Sequence, residues 1–105
     1  MEFSVYIIDL VKELKLQKES IISNQIGRCG TSIGANIREA HYAHGKADFV
    51  SKLQIALKEC YETEYWLELF VKANVVEEDR IKKLLHDCGE LRRILVASIT
   101  TLKNK

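Results

Sequence analysis

Ile22, Ile26, Cys29, Ile33, Asn36 and Ala40 follow one another at steps of 4, 3, 4, 3 and 4. That spacing sets all six on one face of a helix, with an amide where a helix seam is ordinarily apolar. A buried amide costs stability unless it is paired, and its best-attested use is to fix register and choice of partner. The chain is therefore built around the association of helices. The same alternation recurs three more times. Phe3, Ile7, Leu10 and Leu14 form a short first stripe flanked by Tyr6 and Val11. Phe49, Leu53, Ala56, Cys60, Thr63, Leu67 and Phe70 form the longest, and Ile81, Leu84, Cys88, Leu91, Leu95, Ser98 and Leu102 the last. Each is the pattern of an amphipathic helix.

Breaks between the stripes are short. The polar run 15–19 reads as the first connection. A second helix is expected over 20–43, ended by His44-Gly45, with Gly45 as cap or turn residue. The third is expected over 47–73, with Asp48 in its first turn and Asn74 as its stop. Glu77, Glu78 and Asp79 put negative charge where the fourth helix begins, and Lys103 and Lys105 put positive charge where it ends. No proline interrupts the 105 residues, a length that makes one domain with one core. The expected fold is all-α: an antiparallel up-down-up-down four-helix bundle over residues 1–105.

The formal net charge of +1 is too small to specify a polyanionic partner, but its distribution is uneven. Residues 59–79 carry seven acids against Lys72, a net of −6, and residues 80–105 carry seven bases against Asp87 and Glu90, a net of +5. Opposite signs on adjacent segments favour antiparallel pairing of the helices that carry them, or contact between subunits. No run approaches the roughly 18 to 20 apolar residues that span a bilayer, and the start has no basic n-region, so the cytoplasm is expected. Cys29, Cys60 and Cys88 all occupy seam positions, which suits buried thiols in a reducing compartment. Neither zinc-ligand spacing nor a Cys-x-x-Cys pair is present, and no metal or cofactor is expected. Nothing in the order of residues brings a nucleophile, a base and an orienting group together, so the chain is not expected to be an enzyme.

Several features lie outside the core pattern. Ile55, Trp66 and Leu69, with Glu62 among them, stand roughly 120 to 160° around the third helix from its seam. A second apolar stripe with a tryptophan suits a subunit interface; otherwise the third helix is simply the most buried one. Ser23, Gly27, Gly30 and Gly34 form a small-residue stripe on the second helix. Glycine inside a helix costs about 1 kcal/mol relative to alanine, so this stripe asks for a close approach by another helix or by a ligand, or else marks a kink. Arg28, Ser32 and Glu39 lie beside Asn36, either as a solvated flank or as partners across a subunit boundary, for instance Arg28 with Glu62 or Glu64. Lys82, His86 and Arg93 align opposite the fourth seam, with Arg92 and Lys103 adjoining, as a solvated face or a strip that meets phosphates. His41 and His44 are a weak metal signal at a helix end.

Particular words in the chain go further. Gln25-Ile26-Gly27-Arg28 and Ser32-Ile33-Gly34-Ala35-Asn36-Ile37-Arg38-Glu39-Ala40 are the first of them. Asp48-Phe49, Lys52-Leu53, Ile55-Ala56-Leu57-Lys58-Glu59, Glu62-Thr63, Tyr65-Trp66-Leu67 and Ala97-Ser98-Ile99-Thr100-Thr101 follow. Together they resemble the four-helix-bundle proteins encoded in intervening sequences of bacterial 23S rRNA genes, a group similar to the accessory variability determinants of diversity-generating retroelements. The resemblance implies a protomer that assembles into a ring, usually a pentamer. It also implies binding of RNA or DNA, beside a reverse transcriptase in the retroelement branch. Arg28, Asn36, Arg38, Glu39, Asp48, Lys58, Glu59 and Trp66 fall on positions of the family pattern. On this reading the subunit interface holds Arg28, Asn36, Glu39, Ile55, Glu62, Trp66 and Leu69. Arg38, Lys58, Lys82, Arg92 and Arg93 are the residues set toward nucleic acid. The chain departs from the pattern at Gly45, where many relatives carry a capping serine, in its near-neutral charge, and in its short first helix.

Overall fold

The repeated 4-and-3 alternation resolves into four helices in a computed structural model that describes residues 1–16, 20–73 and 77–104. They are α1 (Glu2–Leu16), α2 (Ser20–Ala40), α3 (Lys46–Lys72) and α4 (Glu78–Lys103). Most of the expected polar connection, Asn74 and Lys105 lie outside the described residues. Each helix packs on the one that follows it, the backbones of α1 and α3 and of α2 and α4 stay apart, and α1 meets α4 sparingly. This is the up-and-down order that short connections impose, drawn out to 47 × 20 × 20 Å.

The seams are the core. Ile26, Cys29, Ile33 and Ala40 of α2 are buried, as are Leu53, Ala56, Cys60, Thr63, Leu67 and Phe70 of α3. Asn36 sits half-buried at the edge of its seam. On α4 the last buried position is Ile99, while Ser98 beside it is only half-buried and Leu102 packs against the core from its edge. The apolar interior divides in two along the long axis. One cluster takes Ile7, Leu10 and Leu14 from α1 together with residues of the other three helices. The other is built from α2, α3 and α4, with Phe3 of α1 only flanking it. Half of the molecule is a four-helix bundle and half is a three-helix one.

The small-residue stripe of α2 is where α1 lies. A methyl group on Gly27 would meet Val11 at 3.1 Å, one on Gly30 would meet Ile7 at 2.9 Å, and one on Gly34 would meet Ser4 at 3.3 Å. The pairs run in opposite directions along the two helices, and Ser23 continues the stripe fully buried. Helix packing is thus the use of the stripe, with α1 let in close by the missing side chains. Arg80 of α4 pairs with Glu13 of α1, and the Lys83 ammonium lies 4.1 Å from the Tyr6 ring centre. Those two contacts tie the outer edge of α1 to α4.

α2 stops at Ala40, three residues short of the expected 43. The N–H groups of His41, Tyr42 and Ala43 donate to Arg38, Glu39 and Ala40, three residues back, at 3.1, 3.0 and 3.1 Å. The last turn therefore tightens before the chain leaves the helix. Gly45 follows at φ 110° and ψ 175°, a region essentially closed to residues with a side chain. Asp48 Oδ2 accepts the His44 N–H at 3.1 Å. An aspartate one turn inside α3 thus clasps the corner that a capping serine would otherwise hold.

Two substitutions test these contacts. Crowding a packed interior costs about 1–3 kcal/mol, against about 1 kcal/mol that alanine returns in helix propensity. Gly30→Ala, pressed against the branched carbon of buried Ile7, is expected to be net destabilising. Gly34→Ala, which meets only the Ser4 hydroxyl, is expected to be neutral or stabilising; the urea midpoint should fall for Gly30→Ala and stay level or rise for Gly34→Ala. Gly45→Ser is expected to lower stability by about 1–3 kcal/mol, although serine is the better cap by composition. A thermal melt at or above that of the parent chain would show that the corner relaxes instead.

Candidate functional site

The α2/α3 flank carries a polar seam. Arg28 donates to Glu62 at 2.6 Å, to Glu59 at 3.4 Å and to Gln25 at 3.3 Å. The hydrogen bond to Glu62 raises the already high pKa of the guanidinium, and burial raises that of the Glu59 carboxyl. Lys52 of α3 reaches Glu39 of α2 at 3.4 Å. The Asn36 amide donates within its own helix, to the Ser32 carbonyl at 2.9 Å and hydroxyl at 3.0 Å. Arg28, Asn36 and Glu39, expected at a subunit boundary, thus each have a partner inside the chain. Glu62 is the expected partner of Arg28, met here within one copy, whereas Glu64 is taken by Arg92 of α4 at 2.7 Å.

Beside this seam α3 presents its second apolar stripe. Ile55 is 39% exposed, and Trp66 and Leu69 are half-buried. The Trp66 indole packs on the first core cluster and meets Tyr65 edge-on at 5.2 Å, yet its N–H is shut from solvent without an acceptor. A buried indole N–H ordinarily has one. Ile55 belongs to neither cluster, so the interior of a single copy closes without it.

The five basic residues set toward nucleic acid do not form one patch. Arg38 is exposed on α2, at the lip of a groove against the first turn of α1. Lys58 is exposed on α3, and Arg93 on α4 lies over Gly89. Lys82 stands 3.6 Å from Glu78, one turn away. Arg92 is the most committed: it holds Glu64 and lies 5.8 Å from the centre of the Tyr61 ring. Tyr61 and Tyr65 are exposed one turn apart on the same flank of α3. Tyr65 belongs to one of the family words and Tyr61 to none; neither breaks the seam pattern, and the signal that joins them is two outward tyrosines at a spacing of four.

Cys29, Cys60 and Cys88 are fully buried and free. Burial pushes the Cys29 thiol up to about 11. The hydrogen bond that Cys88 makes with Cys60, then burial, drives the Cys88 thiol far above the ordinary range. Glu59, Glu62 and Cys29 offer three ligand atoms within 4.8 Å, but the Arg28 guanidinium already pairs with both carboxylates. His86, Asp87 and Glu90 form a second such group on the surface, where His86 Nε2 pairs with Glu90 at 2.9 Å. His41 and His44 are both exposed.

The model of the 23S rRNA-intervening sequence protein family matches residues 1–97. The chain belongs to that family. A crystal structure of a protein of unknown function from the S23 ribosomal protein family of Bacteroides thetaiotaomicron VPI-5482 is 48% identical. The match covers 93% of this chain and 92% of that one, with a TM-score of 0.91. No curated protein matches the chain. Among the described residues, no helix is long and apolar enough to cross a membrane.

Enclosed thiols do not react. A thiol reagent added to the native protein at pH 7 is expected to modify none of the cysteines, and all three once the chain is unfolded in denaturant. The raised value of Cys29 also carries a sign. Below the unfolded thiol range, about 8.5, the group is neutral in both states and its contribution to stability is complete. Stability should then fall as pH climbs toward about 11, the value in the folded chain.

Proposed function

We propose that the chain is a non-enzymatic assembly module of the cytoplasm. Copies of it join through the α2/α3 flank into a homo-oligomer, a pentameric ring as the family resemblance implies, and the ring binds RNA or DNA. The observation that carries the assembly is the outward stripe of α3. Ile55 is left in water at 39% exposure beside half-buried Trp66 and Leu69, although both core clusters are complete without Ile55. Arg28, Asn36, Glu39 and Glu62 then form a polar rim whose internal pairs hold it rigid before a neighbour arrives. Apolar centre with polar rim is the ordinary anatomy of a subunit contact.

Nucleic-acid binding follows from repetition. Lys58, Lys82 and Arg93 are too few on one copy to hold a polyanion, but a closed ring multiplies them on one rigid body. The family takes its name from an intervening sequence of 23S rRNA, and the S23 relative is described as ribosomal, which supports RNA over DNA. A reverse transcriptase enters only through the retroelement side of the resemblance. An assembly that touches no nucleic acid is the second reading, and one observation favours it: Arg92 is bound to Glu64 and Lys82 stands beside Glu78, so part of the basic set is already neutralised.

Sedimentation separates the steps. The purified chain is expected to run as a discrete oligomer, and Trp66→Lys to run as a folded monomer with the helical signal of the parent. A parent chain that stays monomeric at high concentration would remove the proposal. Binding of a labelled RNA is then read over a salt series. Each phosphate contact adds about −0.7 to the slope of log K against log salt for a single strand. Lys58→Ala with Arg93→Ala should flatten that slope, and a flat profile in the parent oligomer would select the second reading.

A further inference from the structure

The open half of the bundle is a place for a fifth element. Past the first turn of α1, the α4 wall from Leu91 to Leu102 runs for about 17 Å at 1.5 Å per residue. That is about 11 residues of helix, or three turns. Along this length the chain leaves a groove of about 990 Å³ bounded by Phe3 and Ser4 of α1, Ile33 and Ile37 of α2, and Leu91 and Ile94 of α4. It continues into a further 540 Å³ over Phe49, Leu53, Leu95 and Leu102, with Ile37, Leu91 and Ile94 common to both.

Its chemistry is that of a helix seat. Between Leu91 and Leu102 the wall contributed by α4 is uncharged, being Leu91, Ile94, Leu95, Ala97, Ser98 and Thr101 besides Leu102. Arg92 is turned to the other side of α4, where it holds Glu64. Ile94 is 62% exposed, an apolar side chain left in water on the wall of a groove. Gly34, Ala97 and Ser98 are small enough to let a backbone come close, as Gly27 and Gly30 do for α1. The lip nearest α1 is mainly acidic: Glu2, Asp87 and Glu90 stand against Arg38 and His41.

We propose that this groove docks a short amphipathic helix of a partner protein, about three turns long, with an apolar stripe on one face and lysine or arginine beside it. The apolar stripe covers Ile94 and Leu91, and the basic residues face Asp87 and Glu90. The seat lies on the α1/α4 side, away from the α2/α3 flank assigned to assembly, so it stands or falls independently of that assignment. A second copy of the chain is the competing occupant, and the experiment below separates the two.

The probe is a synthetic 14-residue helical peptide with leucines at helical spacing and flanking lysines, labelled for fluorescence anisotropy and titrated against the full chain. Two control peptides carry glutamates in place of the lysines, or the same residues in scrambled order. The lysine peptide is expected to bind at least tenfold tighter than either control. Ile94→Glu should weaken it tenfold or more, and Asp87→Lys with Glu90→Lys should reverse the preference toward the glutamate peptide. Ile94 and Glu90 are exposed and Asp87 is half-buried, and a thermal melt checks that the variants fold. Equal binding of all three peptides, or undiminished binding to Ile94→Glu, would overturn the proposal. Absence of binding together with a lower sedimentation mass for Ile94→Glu would give the groove to a second copy and overturn it equally.

Discussion

The contact on which the architecture depends is the bed of small side chains in α2 that receives α1. Gly30 brings its Cα so near Ile7 that an added methyl would stand 2.9 Å from that side chain. The closeness draws α1 toward α2 and away from α4, which explains why α1 and α4 touch through Glu13–Arg80 and Tyr6–Lys83 more than through interdigitated apolar ridges. Three glycines within a 21-residue helix weaken it in isolation. They are tolerated because the helix they admit brings Ile7, Leu10 and Leu14 into the interior. Local propensity gives way to tertiary packing at this one interface.

From that seating follows the division of the molecule. Where α1 runs, four helices enclose Phe70, Leu67 and Ile81; past its first turn, Ile33, Cys60, Cys88 and Leu95 are enclosed by three. The α2/α3 flank is laced by Arg28, Glu59, Glu62, Glu39 and Lys52, which fixes the relative rotation of these helices. Exposed ion pairs contribute little to stability, typically below about 1 kcal/mol, so their role there is orientation. The core holds the helices together and the polar flank sets their angle.

Much of this was legible in the residues. The 4-and-3 seams named nearly every buried position because a helix turns at a fixed rate and the core selects one side of it. The glycine stripe was legible as a close approach for the same reason. What could not be read was which neighbour each outward side met. Arg28 pairs with Glu62 within one chain rather than being left for another, since only the packed structure puts 34 residues of separation at 2.6 Å. Arg92 and Glu64 were assigned to separate tasks and turn out to hold each other. The end of α2 was overrun because His41, Tyr42 and Ala43 carry no stop signal; the hydrogen bonds to residues three back, and the backbone angle of Gly45, end it. Family membership was carried by short words such as Gly-Ala-Asn-Ile-Arg-Glu, not by periodicity, which many unrelated bundles share.

The near-contact of Gly30 and Ile7 has a consequence for the history of such a chain. Neither position is free to drift alone. A larger residue at 30 becomes acceptable only once position 7 has already shrunk, and the order of those two steps matters. Related sequences that have lost this glycine should therefore carry alanine or valine opposite it, so a packing distance in one molecule becomes a rule about which ancestors were viable.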